Sequence, residues 1–188
     1  MGKHEEPESE IGRLLVARGW RLAVAESCTG GLLSHRVTNV PGSSRYFLGG
    51  VVSYANEVKA GLLGVPSDTL QIHGAVSSET AKEMAQRVRS LLSADVALSV
   101  TGVAGPDGGT AEKPVGLVFL HLSAPGAEWG VRRQWAGGRE KNKAQSAEAA
   151  LQLLRTFLDT VATGPLWRDR SGPAHQTDTY GEAKHSDY

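Results

Sequence analysis

The sequence lacks the features of secreted, membrane-embedded or generally nucleic-acid-binding proteins. Its single cysteine, Cys28, cannot form an internal disulfide, which favours a reducing compartment. No stretch approaches the roughly 18 apolar residues of a membrane span, and the N-terminus has no apolar signal-peptide core. The 20 basic residues balance the 20 acidic ones, so no overall field attracts phosphate backbones or anionic lipid. We therefore expect a cytoplasmic protein without a membrane or nucleic-acid partner, which leaves room for a local basic pocket.

Several catalytic signatures are also missing. No cluster of His, Cys or carboxylate residues has metal-ligand spacing, so we expect no metal and no cofactor. Residues 101–110 are rich in glycine, but they lack the Gly-Lys-Ser/Thr ending of a Walker loop and the spacing of a dinucleotide fingerprint. The histidines are scattered along the sequence, which argues against a Ser-His-Asp triad. Only His73 lies in a predicted loop near the candidate residues described below, so a direct catalytic role for His73 stays open.

The 188 residues, of which 40% are hydrophobic, suit one globular domain. Apolar periodicity predicts strands at 21–26, 46–54 and 95–100 and a hairpin of strands at 116–122 and 129–135. Helices are predicted at 11–18, after Gly31, from a cap at Asn56 to Leu63, after a cap at Ser77 or Ser78, and from Gly138 onward. This alternation predicts an α/β fold, a three-layer α/β/α sandwich around a mixed, mostly parallel sheet of about five strands. The domain should occupy residues 8–162, between a flexible leader at 1–7 and a disordered tail at 163–188.

The first candidate for chemistry is Ser27, which follows the first predicted strand. Thr29, Gly30 and Gly31 come next and lead into a helix, so their backbone N–H groups and the helix dipole can stabilise an oxyanion or a phosphate. The glycines also let a substrate approach the backbone closely. Ser27 is either a nucleophile or only a cap for the helix, and this motif alone does not decide between them.

A serine nucleophile needs a base, and Lys59 is the candidate once the histidines are set aside. Lys59 follows the second predicted strand, whose carboxyl end lies at the same sheet edge as that of the first. Desolvation can lower the pKa of a lysine toward neutrality, and Tyr54 nearby can relay or donate a proton. A lone lysine is also commonly a solvated surface residue, so this role depends on where the fold places it.

The glycine-rich loop opens at the same edge and adds substrate contacts. Thr101, with Gly102 and Gly105 after it, offers a hydroxyl and backbone amides to a phosphate or an oxyanion. Arg139 opens the last helix and can bring a guanidinium to a phosphate, whereas Lys141 and Lys143 are equally compatible with solvation.

Four segments, taken together, resemble the CinA C-terminal domain family over roughly residues 8–160. They are Ala25-Glu26-Ser27-Cys28-Thr29-Gly30-Gly31, Ser53-Tyr54-Ala55-Asn56-Glu57-Val58-Lys59, His73-Gly74-Ala75-Val76-Ser77 and Thr101-Gly102-Val103-Ala104-Gly105-Pro106-Asp107-Gly108-Gly109. Their order and spacing make the resemblance more specific than any single glycine loop.

The resemblance implies a nicotinamide-nucleotide amidohydrolase, which converts nicotinamide mononucleotide to nicotinic acid mononucleotide and ammonia in pyridine-nucleotide salvage. It also implies a homodimer, with Ser27 as nucleophile, Lys59 as its base and Tyr54 as a catalytic helper. It makes Thr101 with the following glycines the loop that binds the substrate phosphate or amide. With the residues argued above, the expected substrate-binding residues are Thr29, Gly30, Gly31, Asn56, Thr101, Gly102, Gly105 and Arg139.

The chain departs from the family pattern in two respects. An arginine-x-x-hydrophobic-arginine pattern is common before the last helix, and here Asn142 and Lys143 stand at its last two positions. Many relatives also carry a larger N-terminal domain, so the resemblance suggests the stand-alone form. Two alternative functions stay open: a nucleotide-binding module without catalysis, and a DNA-associated accessory protein, which suits the zero net charge poorly.

Overall fold

The computed structural model describes residues 7–161. Pro7, expected in the leader, is the first residue of the first helix, which was predicted to begin at residue 11. The rest of the expected leader and the expected tail at 163–188 lie outside the described residues.

The described chain alternates helices and strands, with a short 3₁₀ helix at Ser43–Arg45. In chain order the elements are α1 (Pro7–Arg18), β1 (Leu22–Glu26), α2 (Leu32–Thr38), β2 (Phe47–Val52), α3 (Asn56–Gly61), α4 (Ser67–Ile72), α5 (Ser78–Leu91), β3 (Val96–Gly102), β4 (Leu117–Ala124), β5 (Ala127–Gln134) and α6 (Arg139–Thr160).

The five strands form one mixed sheet in the order β2-β1-β3-β4-β5. β1 pairs in parallel with both β2 and β3, whereas β4 is antiparallel to β3 and to β5. Four strands therefore run in one direction and β4 runs against them, which confirms the predicted mixed, mostly parallel sheet and its terminal hairpin.

Helices cover both faces of the sheet. On one face, α1, α2 and α6 pack over the larger hydrophobic core, which includes Leu22, Leu98 and Leu151. On the other face, α5 packs over a smaller core around Ala97 and Met84. The three layers confirm the predicted sandwich. None of the helices in residues 7–161 combines the length and apolar character that crossing a bilayer requires.

Most local boundaries follow the predicted signals. Ser77 caps α5, with its hydroxyl accepting a hydrogen bond from the Thr80 N–H at 3.1 Å, and Gly138 precedes α6 as expected. The cap predicted at Asn56 is wrong: Ala55 precedes α3 and Asn56 is its first helical residue. The helix α4 was not predicted, because its six residues include no buried residue and therefore show no strong apolar period.

The carboxyl ends of β1, β2 and β3 lie side by side because these strands are parallel neighbours. Ser27 follows β1 directly, and the turn leading to α3 follows β2. At the end of β3 begins the glycine-rich loop, residues 103–109. In open α/β sheets this edge is the usual place for a ligand.

Candidate active site

A cavity of about 270 Å³ opens at this sheet edge. It is lined by Ser27 and Cys28 after β1, by Tyr54, Asn56 and Lys59 around α3, by Ala75 and Val76 before α5, by Thr101, Gly102, Val103, Ala104, Gly105, Asp107 and Gly108 at and after β3, and by Arg139 at the start of α6. The cavity therefore gathers most of the residues that the sequence analysis selected, from five separate segments of the chain.

Ser27 is held at the floor of this cavity. Its backbone N–H donates to the carbonyl of Val100 on β3 at 2.9 Å, which fixes the residue beyond the end of β1. Its side chain is largely enclosed, with 8% of the residue exposed, and Oγ accepts a hydrogen bond from Lys59 Nζ at 3.1 Å. The two residues that sequence reasoning paired are thus in direct contact.

Lys59 is almost completely buried, with 1% exposed, although it carries an ionisable amine. Its Nζ donates to the carbonyl oxygens of Ser53 at 2.7 Å and Tyr54 at 3.2 Å, besides Ser27 Oγ. No carboxylate pairs with it among residues 7–161. Burial lowers the pKa of the Lys59 ammonium from its ordinary 10.5, against an opposing influence of the Cys28 thiol.

Cys28, next to Ser27, is a poor nucleophile in this setting. Burial is the main cause that raises the pKa of its thiol to about 12, so the thiol is protonated at neutral pH. Because thiolate is the reactive form, the geometry and the protonation state both favour Ser27 as the attacking group.

Tyr54 and Arg139 form the more open side of the site. The Tyr54 side chain is 57% exposed, and its hydroxyl accepts a hydrogen bond from Arg139 Nη2 at 2.9 Å. Arg139 Nη1 donates to the carbonyl of Gly105 at 2.8 Å. Tyr54 therefore contacts Lys59 through its backbone carbonyl, while its hydroxyl is hydrogen-bonded to Arg139.

Three residues that were predicted to bind phosphate, Thr101, Gly102 and Gly105, have structural reasons for their identity. Thr101 lies in β3, not in the loop, and its fully buried hydroxyl donates to the carbonyl of Ala75 at 2.6 Å. This hydrogen bond commits the hydroxyl that was expected to face substrate. Gly102 packs against β4: a Cβ there would lie 2.6 Å from the Leu117 carbonyl oxygen. Gly105 adopts a φ of +87°, a conformation that favours glycine.

The structure corrects the expectation for the turn after Ser27. Thr29, Gly30 and Gly31 do not line the cavity. The Gly30 N–H donates to the carbonyl of Ser27, and the Gly31 N–H donates to the carboxylate of Glu26. These two N–H groups are therefore occupied, the first by Ser27 and the second by Glu26. The buried Glu26 carboxylate lies at the start of α2, where an oxyanion or phosphate was expected.

His73 also lies away from the reacting groups. It follows α4, and its Nδ1 is 3.7 Å from Glu79 Oε1. It is not among the residues that line the cavity. Ala75 and Val76, which belong to the same motif as His73, do line it.

Two residues at the site, Asp107 and Asn142, were not predicted as functional residues. Asp107 lines the cavity from the glycine-rich loop, and its position in that loop is the sequence signal that could have identified it. Asn142 is buried and joins two segments: its Nδ2 donates to the Ala104 carbonyl at 3.0 Å, and its Oδ1 accepts from the Gly137 N–H at 3.0 Å. The polar residue at this departure from the family pattern thus fastens the loop to the start of α6.

The fold and the site together define a three-layer α/β/α protein with a buried serine–lysine pair at the carboxyl edge of its sheet. The chain belongs to the CinA family: residues 4–158 match the CinA C-terminal domain. It is 51% identical over 148 residues to a CinA-like protein of Desulfotalea psychrophila, which covers 79% of this chain and 36% of that protein. It is 48% identical over 154 residues to a CinA-like protein of Thermotoga maritima, which covers 82% of this chain and 38% of that protein. The chain therefore spans little more than a third of the length of these curated relatives.

Solved structures show the same architecture. A crystal structure of a CinA superfamily protein from Klebsiella pneumoniae aligns with a TM-score of 0.80 at 34% identity, over 82% of this chain and 97% of that one. A competence/damage inducible protein from Agrobacterium tumefaciens aligns with a TM-score of 0.76 at 37% identity, over 85% of this chain and 100% of that one.

Proposed function

We propose that the protein hydrolyses the carboxamide of nicotinamide mononucleotide to nicotinic acid mononucleotide and ammonia, with Ser27 as nucleophile and Lys59 as its base. The observation that carries the proposal is the 3.1 Å contact between Lys59 Nζ and Ser27 Oγ in a cavity that both residues line. A serine hydroxyl needs an adjacent base to attack an amide, and no other side chain donates to or accepts from Ser27 Oγ within the described residues.

The hydrogen bonds of Lys59 suit a base that works in the neutral state. A charged ammonium has three N–H donors, and Nζ has three acceptors: the carbonyls of Ser53 and Tyr54 and Ser27 Oγ. When the amine loses one proton, two N–H groups can keep the carbonyls. Its lone pair is then directed at Ser27 and accepts the hydroxyl proton. Burial lowers the pKa of Lys59 and so raises the population of this neutral form.

The reaction that follows is an acyl transfer. Lys59 takes the Ser27 proton as Oγ bonds to the carboxamide carbon, and the resulting ammonium returns that proton to the departing nitrogen, which leaves as ammonia. Water then attacks the Ser27 ester, with Lys59 accepting a water proton and returning a proton to Oγ, and the acid is released. Backbone N–H donors to the oxyanion typically contribute about 3 kcal/mol each. The N–H groups of Gly30 and Gly31 already donate to Ser27 and Glu26. We therefore assign the stabilisation of the oxyanion to backbone N–H groups of residues that line the cavity.

Arg139 is the proposed phosphate contact. Its guanidinium has five N–H donors, of which the structure uses one on Gly105 and one on Tyr54, so others are available to a phosphate. The cavity volume, about 270 Å³, is close to the lower end of the roughly 300–1,000 Å³ typical of ligand pockets. Both features suit a mononucleotide, the substrate class that the resemblance implies.

The substrate is tested by incubating the protein with nicotinamide mononucleotide, nicotinamide riboside and the dinucleotide, and measuring ammonia. We expect release from the mononucleotide, with the riboside slower because it lacks the phosphate. Ligand-induced thermal stabilisation without ammonia would instead support a nucleotide-binding module. Salt-sensitive DNA retention on filters at about 0.15 M salt would support the DNA-associated alternative.

We also propose that the protein is a cytoplasmic homodimer that acts without a cofactor. β2 is an edge strand, and its Leu48 and Val52 are 38% and 45% exposed, which suits coverage by a second copy. Light scattering should give a mass near twice 19.9 kDa, and a mass near 19.9 kDa would contradict the dimer.

A further inference from the structure

Glu26, the last residue of β1, has an unusual environment for a carboxylate. It is fully buried, and its two oxygens accept four hydrogen bonds. Oε2 accepts from the N–H groups of Gly31 and Leu33, both at 3.0 Å, and Oε1 accepts from the N–H of Ser34 at 2.8 Å and its hydroxyl at 2.6 Å. The carboxylate thus satisfies the free N–H groups at the start of α2, where a negative charge is also favoured by the helix dipole.

The backbone of the same residue supports the other half of the serine–lysine pair. The Glu26 carbonyl accepts a hydrogen bond from the Ser53 N–H at 2.8 Å, and the Ser53 carbonyl in turn accepts from Lys59 Nζ at 2.7 Å. Glu26 therefore lies between the segment that carries Ser27 and the segment that holds Lys59.

We propose that Glu26 is a positioning residue for the nucleophile: its buried carboxylate acts as a built-in anion at the start of α2 and holds the turn of residues 27–31 so that Ser27 Oγ faces Lys59 Nζ. The proposal rests on the proposed function, because it takes Ser27 as the nucleophile.

The contacts separate this role from two others. Glu26 is not a base for Ser27, since all four side-chain hydrogen bonds go to Gly31, Leu33 and Ser34. It is also more than a helix cap, because the turn it closes contains the reacting serine. A displacement of about 1 Å at a reacting group can cost about 10²-fold in rate. Loss of the Glu26 carboxylate should therefore displace Ser27 and slow the reaction.

The test is Glu26→Gln, read out by steady-state kinetics and by the labelling rate of Ser27 with a fluorophosphonate serine probe. The amide has one acceptor oxygen, and its NH₂ group faces either the Ser34 N–H or the N–H groups of Gly31 and Leu33. We expect kcat to fall about ten-fold or more, KM to stay within about two-fold, and labelling to fall by the factor seen in kcat. Labelling and kcat within two-fold of wild type, or a rise in KM equal to the fall in kcat, would overturn the proposal. If Glu26→Gln does not fold, Glu26→Asp, one methylene shorter, is judged by the same thresholds.

Val88→Ala is the control for general stability. Val88 is buried in α5 on the opposite face of the sheet, so its truncation loosens the core without touching the turn. Below its melting temperature this variant should be labelled at the wild-type rate; labelling slowed as much as in Glu26→Gln would overturn the positioning role.

The probe also separates this inference from the proposed substrate. It reacts with an activated serine whatever the natural substrate is. Wild-type labelling at Ser27 without turnover of nicotinamide mononucleotide would overturn the substrate assignment alone, and the labelling comparison would still decide the role of Glu26. A wild-type Ser27 that the probe does not label would overturn both.

Discussion

A lysine enclosed without a carboxylate partner is costly to keep in a folded protein, because burial penalises its charged form. Lys59 is such a residue: its hydrogen-bond acceptors are two backbone carbonyls and the hydroxyl of Ser27. Structural needs alone would be met as well by an apolar side chain of similar length. The cost is therefore best explained by chemistry at Ser27.

Lys59→Met should separate this chemistry from stability. We expect ammonia release to fall by about 10²–10⁴-fold, the usual contribution of a general base, because methionine fills the space without accepting a proton. The melting temperature at neutral pH should stay equal or rise, since a buried amine is removed. Steady-state assays and thermal melts check both. Lys141→Met, which changes an exposed lysine, is the matched control and should leave both values unchanged. A Lys59→Met enzyme with more than a tenth of wild-type activity would contradict the assignment.

The pH dependence follows from the lowered pKa of Lys59. In the proposed mechanism the neutral amine is the base, so kcat should rise with pH, with a midpoint below the ordinary 10.5, and then level off. The unfolded chain holds its lysine proton up to the ordinary pKa, and the folded chain releases it earlier. Folding stability contributed by this group should therefore increase as pH rises between the folded and the ordinary pKa. Urea unfolding of wild type and Lys59→Met at several pH values from about pH 7 up to the ordinary 10.5 measures it. A wild-type stability that falls relative to the variant over this interval would show the opposite sign.

The sequence could predict the pairing of Ser27 with Lys59, because both follow parallel strands whose carboxyl ends meet at one edge. It could not predict that the Glu26 carboxylate would accept hydrogen bonds from the N–H groups at the start of α2, or that the Thr101 hydroxyl would donate to the Ala75 carbonyl. Those contacts depend on side-chain directions between segments that are distant in sequence, and a local motif does not contain them.

At the scale of elements, the glycine-rich loop is held by the start of α6. Arg139 donates to the carbonyl of Gly105, and Asn142 joins Ala104 to Gly137. The loop lines the cavity, so its position should depend on these two side chains. Asn142, at the position where the chain departs from the family pattern, supplies part of this attachment.

Asn142→Ala should loosen this attachment. The substitution leaves the Ala104 carbonyl and the Gly137 N–H without their partner, which should cost about 1–3 kcal/mol in the free energy of unfolding. Amide hydrogen exchange in residues 103–109 should become faster, and kcat/KM should fall. Gln152→Ala, the same kind of side chain on the exposed face of α6, is the control and should change stability by less than about 0.5 kcal/mol. Unchanged exchange in the loop of Asn142→Ala would refute the fastening role.

Element boundaries were predictable where a cap or a clear apolar period marks them, as at Ser77 and Gly138. The end of β3 was not, because glycines at and after Gly102 suggested a loop while pairing with β4 extends the strand. Here tertiary pairing overrode the local signal of the glycine.

At the scale of the whole molecule, the sandwich was predictable because alternating strands and helices permit few arrangements around one sheet. The strand order places β1 in the middle of the parallel part, between β2 and β3, so Ser27 receives neighbours from both sides. The fold thereby supplies the Val100 carbonyl from one neighbour and Lys59 from the other. The apolar cores on the two faces leave this edge as the place for polar chemistry.

The most direct test of the account is the rate at which Ser27→Ala releases ammonia from nicotinamide mononucleotide, compared with wild type under the same conditions. Removing a serine nucleophile leaves only binding and oxyanion stabilisation, so we predict a fall of about 10³-fold or more with the fold intact by circular dichroism. Ammonia release at the wild-type rate from a correctly folded Ser27→Ala protein would contradict the serine–lysine mechanism.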